Sequence, residues 1–303
     1  MKKIVIAMIT FMLVTTALST ATYAWISLAK TNIIDEIYLG ATLGDELELS
    51  LDGKIYYTEL PKEELKKYLR TSSLNAVSTI NALEYHFLDE DSRETIVNRD
   101  YLSLDFYFRT RSNFERYVYL ANNISSQVDY DSFDQEGTFV ISKGVDFVSP
   151  VTYLYDIDEY VYKGQLKRHF AKDGLRIATI YQDEEAKIFD LTGNEHRGYG
   201  KPYGAHDYYK KYTGINLTIP SEIPTTIYTL SEFSLDSPFS YDDISKIMEL
   251  NDVEIIDGVK YYTGKVTIKI WLEGWDADIF DPILKDRIKI KLQFKAVRGI
   301  IDK

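Results

Sequence analysis

Residues 286–297 read DRIKIKLQFKAV, in which Ile288, Ile290, Leu292 and Phe294 alternate with Lys289, Lys291, Gln293 and Lys295. Only an extended chain, whose successive side chains point to opposite faces, sorts this run into one apolar and one basic face. The same period recurs at 101–110, YLSLDFYFRT, with Leu102, Leu104, Phe106 and Phe108 on one side. It appears again around two Asp-Gly pairs. DELELSLDGKIYY crosses Asp52-Gly53, and VEIIDGVKYYTGKVTIKIWLEG crosses Asp257-Gly258 into a long strand. Asp-Gly between alternating apolar residues is a hairpin signal, because both turn positions of a two-residue loop need positive φ.

Shorter strand candidates lie at 116–124, 137–142, 174–181, 186–191, 213–219 and 225–230. Two helical insertions are expected. The first lies within 60–83, with Pro61 at the start and Leu65 and Leu69 four apart. The second lies at 240–250, where Ser240 and Asp243 resemble a capping box. That gives about ten strands with no βαβ rhythm. The pattern predicts a mostly β chain: an antiparallel β-sandwich, jelly-roll-like, with short helical insertions. The 25 tyrosines suit half-buried pleated surfaces. No repeat or long linker divides the body, so residues 25–303 read as a single β-sandwich domain behind residues 1–24.

Those first residues have the layout of an export signal. Lys2 and Lys3 form a basic start, and Ile4 to Leu18 carry no charge. STATYA follows, with small residues placed for cleavage between Ala24 and Trp25. The next charge is Lys30. The uncharged run therefore also exceeds the roughly 20 residues that span a bilayer, so an uncleaved signal anchor is the alternative. Export, to the medium or to the cell surface, is expected either way. The net charge is −12, and removal of residues 1–24 takes away two lysines and no acid. Such a body repels nucleic-acid phosphates, so no nucleic-acid partner is expected. Cysteine is absent, which excludes disulfides, thiolate metal sites and cysteine nucleophiles.

The stretch ATYAWISL, through Thr22-Tyr23-Ala24-Trp25, resembles the signal-peptide ends of the TasA/camelysin-type secreted proteins of Gram-positive bacteria. In that family a SipW-type signal peptidase cuts beside a small-aromatic pattern. The resemblance implies an extracellular β-sandwich protein that assembles into fibres or cell-surface matrix, and a signal peptidase as partner during export.

Four acids between two of the clearest strands, Glu273, Asp276, Asp278 and Asp281 in WLEGWDADIFDP, are candidate calcium ligands. EF-hand spacing is missing there, and the competing reading is a connection whose acids cap a turn while Trp271 and Trp275 pack on the sandwich end. Residues 194–212 hold His196, His206 and Asp207 among glycines and tyrosines, and read as a surface loop, a candidate metal pair or a glycan- or partner-contacting segment. Asp129 and Asp131, and the acids of 155–160, read as solvated loops. No catalytic residue is assigned. The chain lacks the nucleophile elbow, the His-Glu-x-x-His helix and the phosphate-binding glycine loop. No resident cofactor is expected beyond that candidate calcium. The expected function is therefore that of a secreted or surface structural protein that self-associates, with the segment from Trp25 to about Tyr38 as a donor strand. The alternative is a membrane-anchored, ligand-binding or adhesive ectodomain.

Overall fold

The structure is a computed structural model that describes residues 8, 11, 12, 32–41, 46–68, 73–88, 94–132, 135–182, 184–233 and 238–301. Ala24 and Trp25 lie outside the described residues. Among the described residues no helix is long and apolar enough to cross a membrane.

The chain is mostly β, with 42% strand against 12% helix, and the described residues form no closed barrel. In chain order the first elements are β1 (Asn32–Ala41), β2 (Glu48–Ser50), helix α1 (Lys62–Lys66), β3 (Ser73–Leu74), β4 (Ala76–Val77), β5 (Leu102–Thr110) and β6 (Tyr117–Leu120). Next come β7 (Phe139–Ser142), β8 (Val145–Val148), β9 (Tyr153–Asp156), β10 (Glu159–Val161), β11 (Leu166–His169), β12 (Leu175–Ile180) and β13 (Lys187–Phe189). Helix α2 (Ala205–Thr213), β14 (Thr226–Ile227), β15 (Lys246–Glu249), β16 (Asp252–Ile256), β17 (Val259–Glu273) and β18 (Arg287–Val297) complete the chain.

Two large sheets carry the core. One runs β15-β6-β18-β1-β3, with β7 also on β18; the other runs β14-β13-β12-β17-β5-β2, with β16 and β4 also on β17. The alternation in β5 and β18 explains their meeting. Phe106 and Phe108 of β5 face Phe294 of β18, with ring centroids 6.0 and 4.9 Å away. Ile288, Ile290, Leu292, Leu102 and Leu104 join the same buried cluster. The outer face of β18 is half-covered, because Lys289 Nζ donates to the Tyr130 carbonyl at 3.0 Å and Lys291 Nζ to that of Gln135 at 3.0 Å. Asp129 and Asp131 are exposed as expected, while Val128 and Tyr130 of the same loop pack down beside that strand.

Several expectations are corrected. The sheets are mixed, not purely antiparallel: β1 pairs in parallel with β18, β14 with β13, and β4 with β17. Of the one or two helices expected within 60–83, the described residues form the short α1, followed by β3 and β4. The Ser- and Thr-rich stretch finds better partners in the edges of β1 and β17 than in its own backbone. At 240–250 the Ser240 hydroxyl accepts the Asp242 N–H and donates to its carbonyl at 2.6 Å, making a tight turn that leads into β15. The 213–219 strand is absent. α2 ends instead at Gly214, whose left-handed backbone (φ 78°) lets its N–H reach the Lys210 carbonyl.

Candidate functional site

β17 ends at Glu273, and residues 274–286 carry the chain across to β18. A loop with four acids would ordinarily seek water, yet Glu273, Asp276 and Asp278 are 2%, 1% and 3% exposed. Burial of carboxylates is costly unless each is matched by donors and opposite charge. The matching groups come from far along the chain. Arg176 of β12 donates through Nη2 to Asp276 and lies 2.9 Å from Asp190, just after β13. Arg197, in the turn Glu195–Arg197, forks onto Asp278, with Nη2 to Oδ1 at 2.6 Å and Nε to Oδ1 at 2.9 Å. Asn194 adds a 2.7 Å bond to the other oxygen of Asp278. The Arg197 guanidinium also lies over the Tyr155 ring, 3.7 Å from its centroid. Glu273 accepts the Trp271 indole N–H at 3.0 Å and the Trp275 backbone N–H at 3.1 Å.

Backbone bonds lock these segments together. Gly200 N–H reaches the Trp275 carbonyl at 2.8 Å, Ala277 N–H that of Arg197 at 3.0 Å, and Ala205 N–H that of Ala277 at 2.7 Å. Gly204 sits at φ 61°, and a Cβ there would stand 2.2 Å from the Ala277 carbonyl oxygen. Only glycine suits that close approach.

Asp190, Asp276 and Glu273 gather around one guanidinium, so negative charge is in excess. Burial pushes Asp276 well above the usual carboxylate range; Arg176 opposes the shift and Asp278 adds to it. Burial likewise lifts Glu273 against its hydrogen-bond donors.

Beside this cluster, on the outer face of the second sheet, lies a cavity of about 80 Å³. Arg176, Glu273 and Trp271 line it together with Tyr199, Tyr228 and Lys201. Of its charged lining groups Arg176 and Glu273 already have protein partners, which leaves the aromatic rings, the Lys201 ammonium and the Glu195 carboxylate as its contacts for a small ligand.

Of the four candidate calcium ligands, three lie close together and each faces a protein donor. Glu273 is held by the indole, Asp276 by Arg176 and Asp278 by Arg197, while Asp281 is exposed at the start of the turn Asp281–Ile283. Among the described residues no group of three or more His, Cys, Asp or Glu side chains is arranged to hold a metal ion. His196 and His206 part company. His196 Nε2 lies 3.1 Å from Asp156 Oδ2, and His206 Nε2 lies 2.9 Å from the Leu217 carbonyl. Asp207 accepts the Leu154 N–H at 2.7 Å. The expected loop at 194–212 is therefore an ordered turn and helix α2, pinned to β9, and the acids of 155–160 belong to the β9–β10 hairpin.

Arg176, Arg197 and Asn194 are the side chains that sequence reasoning missed. The one available signal was Arg176 itself, a lone charge in the apolar strand LRIATI. No protein family, curated protein or solved structure matches this chain.

Proposed function

We propose that this is an exported structural protein of the cell surface or extracellular matrix that self-associates, with its N-terminal segment as donor strand. Its two sheets, packed on one apolar cluster, give a sandwich of jelly-roll-like outline. The observation that carries the reading is the position of β1, which pairs in parallel with β18 from Ile33 to Ala41 and meets β3 only at Asn32 and Ile33. β1 buries Ile34, Ile37 and Leu39 in the common core. The Arg287–Asp35 ion pair at 2.7 Å and the Lys62–Glu36 pair at 2.8 Å clip it in place. A strand held in this way by pairing and by inserted aliphatics is one that a neighbouring copy can supply equally well, as in donor-strand exchange. The signal-like start, with Ala24–Trp25 as the cleavage point, supplies the route out of the cell.

Two experiments test this reading. Intact mass and N-terminal sequencing of protein recovered from medium and from membranes should give a start at Trp25 in the released form. A chain that starts at residue 42 should fail to polymerise alone and be rescued by a peptide of residues 25–41. Polymerisation of the shortened chain without the peptide would end the donor-strand mechanism. A second reading, a membrane-tethered ectodomain, is favoured by the cavity over Trp271, which would hold its ligand; an intact Met1 in the membrane fraction is the result it expects.

A further inference from the structure

β17 is 15 residues long, and a strand of that length spans roughly 50 Å. Its two ends present two unlike surfaces. At the first end the β16–β17 hairpin projects as an arm, with residues 251–260 exposed throughout. Val253 is 51% and Ile255 74% exposed, and alternation puts both on one face. Asp252, Glu254 and Asp257 outweigh Lys260 and make the arm acidic. In β16 the backbone groups of Val253 and Ile255 point away from β17. The Ile256–Val259 pair closes a two-residue loop, so hydrogen-bonded and open positions alternate from there. The arm has no proline and no bulge in its register, the usual devices that blunt an exposed edge.

At the other end lies the β8–β11 ribbon. It is anchored there by Asp286, whose carboxylate accepts the Gly144 N–H and the Ala171 N–H, each at 2.8 Å. Leu166 faces Val148 across the ribbon and Arg168 faces Asp146. Val148 is 57% and Leu166 62% exposed on that outer face. Beside that outer face Lys143, Lys163 and Arg168 outweigh Asp146, while Lys167 lies on the other face, paired with Glu159 at 2.6 Å, so the outer face is basic in a chain of net charge −12. The chain also enters β1 at this end, where the Ile33 N–H bonds to the Asp286 carbonyl at 3.0 Å.

We infer that the arm of one copy, residues 252–260, docks on the β8–β11 ribbon of the next. Val253 and Ile255 would cover Val148 and Leu166, and the acids of the arm would face Lys143, Lys163 and Arg168. The inference rests on the self-associating reading above and gives its contact geometry. Because the two surfaces differ and lie at opposite ends of β17, the contact is head-to-tail and does not close. Arm-to-arm pairing is disfavoured, since it sets three acids against three. The junction also lies at the end where β1 begins, so a donated N-terminal segment and the docked arm would share one interface.

The test uses protein exported by cells that make the full chain, compared by sedimentation velocity. Wild type should form a concentration-dependent series of oligomers that loosens with salt. Ile255→Lys and Leu166→Glu should each weaken association at least ~10-fold with the melting curve retained. An equimolar mixture of the two should give a heterodimer and nothing larger, because each pair keeps one intact arm and one intact ribbon. Assembly of either variant like wild type would overturn the docking, as would a closed wild-type dimer that Ile255→Lys alone abolishes. If both variants assemble while the chain starting at residue 42 does not, the docking fails and the donor-strand reading stands. A wild type that stays monomeric at every concentration sinks both.

Discussion

The two ends of β17 carry the same kind of residues to opposite effect. At the Glu273 end, Asp276 and Asp278 are buried, paired with arginines and locked by backbone bonds. At the Val259 end, Asp252, Glu254 and Asp257 stand in water beside exposed Val253 and Ile255. A carboxylate inside must be neutralised, so there it acts as part of the fold; one outside is solvated and acts through its long-range field. The buried acids hold the chain together, while the exposed ones are turned to solvent.

The largest expected effect breaks the buried end. Arg176→Met leaves Asp276 and Asp190 without their shared cation and should cost about 3–5 kcal/mol in urea unfolding. Adding Asp276→Asn should restore part of that loss, and a double change no better than the single one would argue against the pairing. Gly204→Ala should follow, at about 1–3 kcal/mol from its left-handed backbone, with the Ala277 contact adding to it.

Acid titration sharpens the comparison next. His169 is buried among the rings of Phe147, Tyr155 and Phe280, and its Nε2 has no hydrogen-bond partner among the described residues. Burial, helped by Lys167 and Arg197, pushes its imidazole down from 6.5 to about 4. The unfolded chain takes up this proton at higher pH than the folded one. Stability is therefore lost as pH falls from about 6.5 to about 4, by up to ~3 kcal/mol. His169→Phe should flatten melting temperature against pH in that window. Asp276 and Glu273 act with the opposite sign. Their raised values mean that the folded state keeps protons the unfolded state has lost, so they subtract stability as pH rises above the ordinary carboxylate range.

The exposed end should answer differently. Ile255→Lys should move stability by no more than about 0.5 kcal/mol while it removes assembly. Millimolar calcium should leave the melting temperature unchanged, since Asp276 and Asp278 already face arginines; a clear upward shift would show that the acids of 273–281 take a metal after all.

The regular strands were legible because their signal is local. Period-two alternation in β5 and β18, and Asp-Gly between apolar residues at 257–258, depend only on neighbours a few positions away. They locate a core face and a hairpin without further knowledge. The signal misleads where a local pattern competes with a distant partner. Leu65 and Leu69 suggest helix, but the edges of β1 and β17 take up Ser73–Leu74 and Ala76–Val77 as β3 and β4.

By itself, then, the sequence determined a β-rich body, its strongest strands and the acidity of its loops. Tertiary structure alone decided the parallel seat of β1 on β18 and the burial of the acids after β17. Arg176 and Asp276 are 100 residues apart, and Arg197 and Asp278 are 81 apart. A carboxylate reads as solvated until the fold brings its counter-ion to it, because the energy of burial depends on the neighbour in space and not on the neighbour in sequence.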